Sequence, residues 1–320
     1  MKKKKLAFLC QKGLETFIEP IIREFEKFPE YQVRRYYIST QQEIIAAIKW
    51  ADKVFIEWAN EVAILATQIY DLKKKGCVVR LHSYESLTPM PGRIDWSFVD
   101  YLVFVAPHIR KIVKSKIPDI ENKVLTKIVP NGVNLDKIGQ NTVLNPHEIA
   151  YVCSLNNRKG NPASLQIMAE LVKINPAYRL HVAGAFQEEH LEIYMKHMAR
   201  EMGIEDNIIY YGHVTDMNAF WEGKGIILST SIHEGHPVNV IEGMARGLQP
   251  VIHNFNGAKG LYPPDLIYNT VNEAVNLISD PKKTHKSEYI NYVIDRGWTI
   301  ENQIKQLKAL VDKAGTKGKK

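Results

Sequence analysis

The chain has 320 residues, 45% of them hydrophobic, and a formal charge of +7. That length suits one large or two medium globular domains with ample core, and much of the charge lies in terminal lysines (Lys2 to Lys5, then Lys317, Lys319 and Lys320) that read as solvated tails rather than nucleic-acid arms. The three cysteines, Cys10, Cys77 and Cys153, are far apart and form no CxxC, which argues against a disulfide framework and a zinc site and fits reduced, cytosolic thiols.

From the N-terminus, the apolar run "LAFLC" ends after five residues at Gln11 and Lys12. A secretory core needs roughly 7–15 apolar residues and a spanning helix about 20; no segment qualifies. The expected location is the cytoplasm, at most peripheral at an inner membrane surface. Short apolar runs then alternate with amphipathic stretches. "KLAFLC", "YQVRRYYI", "KVFIEW", "CVVRLH", "YLVFVA" and "VLTKIV" read as strands, with helical patterns between most of them, such as residues 13–27 and 60–75. The polar, turn-rich stretch 131–148 reads as a linker. The alternation restarts with "IAYVCS", "YRLHVAG", "NIIYYG", "GIILSTS" and "PVIHN", and residues 286–313 are helical twice over, broken at Arg296-Gly297. This order predicts an α/β architecture with two parallel sheets. Two doubly wound, Rossmann-like domains, 1–140 and 141–285, would face a cleft where strand-end loops bind ligands.

One stretch concentrates the chemistry: "STSIHEGHPVNVIEGMARG", residues 229–247. "HEGH" is not the zinc motif HExxH, because His233 and His236 are three apart and Pro237 follows. A strand running into a helix explains more. Pro237 suits the first helical position, Val240, Ile241, Met244 and Ala245 form an apolar face, and Gly247 ends the helix. Gly235, His236, Pro237, Val238 and Asn239 then form the mouth of a helix N-terminus, whose free N–H groups favour a phosphate. Glu242 lies roughly 7.5 Å along the axis and Glu234 just outside it, so carboxylates flank a bound diphosphate. A capped core helix with two incidental glutamates is the alternative on this stretch alone.

Ser231-x-x-Glu234-Gly-His-Pro-x-x-x-x-Glu242-Gly-Met-Ala-x-Gly resembles the Glu-x7-Glu signature of retaining GT-B glycosyltransferases, in particular the GT4 family, whose common form is S-x-x-E-G-F-P-x-x-x-x-E-A-M-A-x-G. The passages "PHIRKIV…KVLTKIVPNGVNLDKI", "AYVCSLNNRKG", "YYGHVTD" and "RGWTIENQIKQLKALV" are similar to further family segments, from Tyr101 onward. The resemblance implies a GT-B fold with C-terminal helices (286–320) packing back across the domains, and retaining transfer of a sugar from a nucleotide-diphosphate donor, UDP- or GDP-linked. The acceptor would be a glycan, a lipid-linked sugar or a small molecule, as in polysaccharide biosynthesis. It implies that Glu242 holds the donor ribose, Glu234 the donor sugar, the N–H groups after Glu234 sugar and phosphate, and Lys159 the leaving diphosphate. By the same resemblance His82, at the end of "VVRLH", belongs to the active site, and Gly13 allows close backbone approach after the first strand.

Two departures stand out. Ser154 replaces the family's second diphosphate cation, an arginine, and Arg158 beside Lys159 is the nearest substitute. His236 replaces the usual phenylalanine. There is no Asp-x-Asp, so a metal-bound diphosphate is not indicated and no cofactor or metal is expected. The basic amphipathic segment 107–116 leaves peripheral membrane contact open, and no nucleic-acid partner is expected. An epimerase or hydrolase on the same fold, and a degenerate nucleotide-sugar-binding scaffold, remain alternatives.

Overall fold

The computed structural model describes residues 3–139, 143–280 and 286–315; the tail lysines 2, 317, 319 and 320 and the boundary expected at 140/141 lie outside them. The chain divides into two compact units, the first running to Gly132 and resuming at Ile300, the second spanning Val133–Thr299. Of the segment read as one returning piece, the helix Lys286–Asp295 therefore belongs to the second unit and only the helix Ile300–Lys313 to the first.

In the first unit β1 (Lys4–Gln11), β2 (Tyr31–Ile38), β3 (Lys53–Glu57), β4 (Gly76–Leu81), β5 (Tyr101–Phe104) and β6 (Leu125–Ile128) form one parallel sheet in the order β2-β1-β3-β4-β5-β6. Every residue of β3 and β4 is buried, as continuous apolar runs covered on both faces require. The edge strand β2 mixes buried and exposed positions. Sharp helix starts follow from local chemistry: Thr40 and Glu43 exchange side-chain and backbone hydrogen bonds in a capping box at the helix Gln41–Trp50.

The helix Ile300–Lys313 joins this unit through Ile300, Ile304, Leu307, Leu310 and Val311, spaced for one helical face and packed in the cluster that holds Phe8, Phe25 and Phe55. Its C-terminus is capped from a strand. The Lys53 ammonium, in a residue only 8% exposed, donates to Ala314 O at 2.6 Å and Asp312 O at 3.3 Å, satisfying carbonyls that a helix end leaves open.

In the second unit β7 (Leu144–Val152), β8 (Arg179–Ala183), β9 (Ile208–Gly212), β10 (Gly223–Ser229), β11 (Gln249–His253) and β12 (Ile267–Tyr268) form a second parallel sheet, ordered β12-β11-β10-β7-β8-β9. Three expectations change here. The linker is shorter than read, because β7 begins at Leu144; Pro146 is tolerated inside it by a register shift opposite Gly225 on β10. The sixth strand, β12, was not expected; two residues are too few to show a period. Pro237 is the N-cap rather than the first helical residue, and the helix runs Val238–Ala245.

Each sheet has one point where strand order reverses, between β1 and β3 in the first and between β7 and β10 in the second. Doubly wound sheets bind ligands outside the carboxyl ends of the strands at that point. Among the described residues no helix is long and apolar enough to cross a membrane. The basic helix Pro107–Lys116 buries Ile109 and Val113, and its Arg110 and Lys114 pair with Glu121, so its apolar face serves the core.

Candidate active site

The switch point of the second sheet brings together the loops that follow β7 and β10. The first loop ends in a short turn, Asn157–Lys159, and Gly160, whose φ of 63° is left-handed. A Cβ on Gly160 would sit 2.2 Å from Thr230 O, so only glycine lets the two loops meet. They are then joined by hydrogen bonds. Ile232 N donates to Arg158 O at 3.0 Å. The Thr230 hydroxyl donates to Lys159 O at 2.7 Å. The buried Tyr151 hydroxyl lies 2.8 Å from Thr230 Oγ1, 2.9 Å from Asn161 Oδ1 and 3.1 Å from Lys159 O. On the β10 side, Asn239 Nδ2 donates to Val152 O at 2.7 Å, which fastens the first turn of the helix Val238–Ala245 to the end of β7.

This scaffold places Lys159 Nζ 2.5 Å from Glu234 Oε1, with side chains 12% and 8% exposed. Burial pushes the Glu234 carboxyl up, but Lys159, and beyond it Arg158 and the Ser231 hydrogen bond, outweigh that and hold it below its ordinary value. The site therefore carries a nearly dry ion pair beside a helix N-terminus. A desolvated ammonium fixed there strengthens its field on any phosphate nearby, because water screens it little.

Glu242 lies one turn inside the helix, half-buried. Burial raises its pKa and the charge of Arg246 opposes that rise only in part. Its carboxylate has no hydrogen bond among the described residues, whereas Arg246, 4% exposed, donates to Glu242 O at 3.1 Å and to Asn218 Oδ1 at 2.7 Å and lies over the Trp221 ring. Gly235, His236 and Pro237 are buried, and the His236 ring packs edge-on against Trp298, centroids 4.6 Å apart. Ser154 is exposed on the loop after β7. Thus Lys159, Arg158, Glu234, Gly235 to Asn239 and Glu242 share one sheet edge.

The other two expected residues belong to the first unit. Gly13 follows β1 with φ of 93° and open space where a Cβ would stand. His82 follows β4 and is buried, its Nε2 at 2.7 Å from Glu57 Oε1 and its ring 4.1 Å from that of Trp58. Sequence reasoning missed Tyr151, Thr230 and Asn161, which lock the loops, and Glu57, Arg80 and Glu85 around His82. Charged letters inside "KVFIEW" and "CVVRLH" were the one available signal for Glu57 and Arg80.

Comparison with known proteins follows the same division. The family described as "Glycosyl transferases group 1" matches residues 136–296. An uncharacterized glycosyltransferase of Haemophilus influenzae is 29% identical over 137 residues, 42% of this chain and 36% of its own length. The chain thus aligns with about a third of that curated relative. Among solved structures, HepE of Anabaena, in complex with UDP-glucose, superposes with a TM-score of 0.78 at 15% identity, covering 97% of this chain and 99% of that one. The lipopolysaccharide outer core galactosyltransferase WaaB, in its apo form, gives 0.70 at 16% identity, with 96% and 99% covered. At these identities the two structures show the shared GT-B fold.

Proposed function

Since the chain belongs to the glycosyl transferases group 1 family, we propose that it transfers a sugar from a nucleoside-diphosphate donor to a sugar, glycan or lipid-linked acceptor, with retention of configuration and without a divalent metal. The observation that carries this reading is the Lys159–Glu234 pair at the switch point of the second sheet, beside the N-terminus of the helix Val238–Ala245. An ammonium and free N–H groups at one place suit a diphosphate whose charge grows as the glycosidic bond breaks. Glu234 would accept hydrogen bonds from the donor sugar. Glu242, whose carboxylate accepts no hydrogen bond among the described residues, would accept them from the ribose. The UDP-glucose complex of HepE supports a uridine donor.

Retention is what the family resemblance implies, and this assignment is compatible with it. Both glutamates are used to bind hydroxyls, so neither is left as acid or nucleophile of a hydrolase pair. The departing phosphate would take the acceptor's proton on the same face. Metal independence rests on Lys159 and the helix end supplying the charge that a cation would bring. Membrane contact, if the acceptor is lipid-linked, would be electrostatic, through residues such as the exposed Lys111.

A second reading, a nucleotide-sugar-binding scaffold without transfer, is favoured by the exposed Ser154 at the family's arginine position. Incubation with UDP- and GDP-sugars separates the readings: transfer releases nucleotide and extends an acceptor, epimerisation yields an isomer, and a scaffold binds without turnover. Binding without turnover across the panel would overturn the transferase reading.

A further inference from the structure

The first unit carries a buried polar cluster that the proposed function does not use. It lies at the carboxyl ends of β3 and β4, next to the switch point of that sheet. Glu57 Oε1 accepts from Arg80 Nη1 at 2.9 Å and meets His82 Nε2 at 2.7 Å. Arg80 also bonds Asn131. Glu85 Oε1 accepts from Ala59 N at 3.0 Å and from His82 N at 3.2 Å. Glu57 and Arg80 are fully buried, in a place where charges are rare unless they have a task.

A second observation converges on the same ring. Trp58 is the one non-glycine residue with positive φ, 73°, among the described residues. A bulky residue is a genuine outlier in the left-handed region and persists only where its surroundings hold it there. The turn sends its indole onto the imidazole of His82 at 4.1 Å, while its Nε1 donates to Leu14 O at 3.1 Å and so is held from the other side.

We propose that Glu57 is a positioning residue, which, with Trp58 as a platform, fixes His82 as the Nε2–H tautomer and leaves Nδ1 as a hydrogen-bond acceptor for a substrate hydroxyl. An ionised carboxylate can only accept, so the shared proton belongs to Nε2. Arg80 holds Glu57 in that state: burial pushes its carboxyl up, and Arg80 and His82 more than reverse this. Burial lowers the His82 pKa, Arg80 adds to that and Glu57 opposes it, so the ring is neutral at pH 7. Nδ1 has no partner among the described residues, and it is not one of the sealed polar atoms of the cluster, as Glu57 Oε2 and Glu85 Oε2 are. A neutral acceptor there suits the hydroxyl of a sugar; this assignment rests on the transferase reading.

The test uses the full chain with 15N-labelled histidine, His82 being assigned with His82→Asn. The wild type should show the Nε2–H tautomer without substrate; an Nδ1–H or doubly protonated ring at pH 7 would overturn the proposal with no variant needed. Glu57→Gln alone strands the Arg80 charge, and Arg80 also holds the amide oxygen in place. The informative variant is therefore Glu57→Gln/Arg80→Met, which removes the pair together and folds more readily. Its amide can accept from or donate to Nε2, so the tautomers mix. Because the contact already forms with bound donor, kcat/KM should fall about ten- to a hundredfold; mixed tautomers with unchanged kcat/KM refute the role. A wild type that shows the tautomer yet transfers no sugar counts against the transferase reading alone. Titration with UDP-glucose then decides the positioning role: a shift of the Nδ1 resonance in the wild type, lost in the double variant, supports it, and no shift overturns it.

Discussion

Lys159→Met removes the cation of a nearly buried pair and leaves the Glu234 carboxylate without its close counter-charge. Breaking such a pair costs about 3–5 kcal/mol. The lower end applies, because Arg158 and Ser231 still favour the charged carboxylate. About 3 kcal/mol lowers Tm by roughly 6–12 °C in a unit of this size. Adding Glu234→Gln removes the stranded charge, so the double variant should return to within about 1 kcal/mol of wild type. The Glu234 pKa of the native protein is depressed, so its pairing stabilises the fold above the ordinary carboxylate pKa and is lost as pH falls through the folded value. In Lys159→Met the reverse holds: protonation discharges the stranded group, and the deficit shrinks toward acid pH. Turnover should behave differently. The single variant loses about 10²–10³ in rate, and the double variant, restored in stability, remains at least as slow. Thermal and urea unfolding at several pH values, beside sugar transfer, measure both. A double variant as unstable as the single one, or turnover that recovers along with stability, would refute the coupling of pair and site.

Arg158→Ala should approach Lys159→Ala in lost turnover, and Ser154→Arg should partly restore it, since Arg158 already acts on Glu234 electrostatically; near-wild-type kinetics in Arg158→Ala would remove the compensation idea. Glu85 is buried and pushed up to about 7 from an ordinary 4.5. Its folded state holds the proton longer, so it costs stability as pH rises from about 4.5 to 7, by up to about 3 kcal/mol, and Glu85→Gln should flatten the wild-type slope over that window; parallel slopes would contradict the assignment. Lys53→Met should cost about 1.5–3 kcal/mol and speed amide exchange in the last turn of the helix Ile300–Lys313, with exchange elsewhere in that helix as the internal control.

The legible parts were those with a period or a spacing. Alternating apolar runs located every strand of the two sheets except the two-residue β12, and the seven residues between Glu234 and Glu242 placed a loop against a helix. What stayed hidden depends on contacts far apart in the chain. Lys159 and Glu234 are separated by 75 positions and were tied together only through a resemblance. Tyr151 and Thr230 look like ordinary strand residues, yet their hydroxyls lock the two loops. Pro146 reads as a turn until the bulge at Gly225 explains it. Glu57 and Arg80 sit inside apolar runs where the eye counts only hydrophobic letters, and their pairing needs the register of β3 on β4, Glu57 opposite Arg80.

The central claim is that the switch point of the second sheet grips a nucleoside diphosphate through Lys159 and Glu242 and needs no cation. Calorimetric titration of UDP and GDP in excess EDTA tests it most directly. The account predicts that one of them binds the wild type in EDTA, that magnesium leaves the affinity within about twofold, a difference of roughly 0.4 kcal/mol, and that Glu242→Gln weakens it. Absence of binding to either nucleotide, or binding that appears only when magnesium is restored, would contradict it.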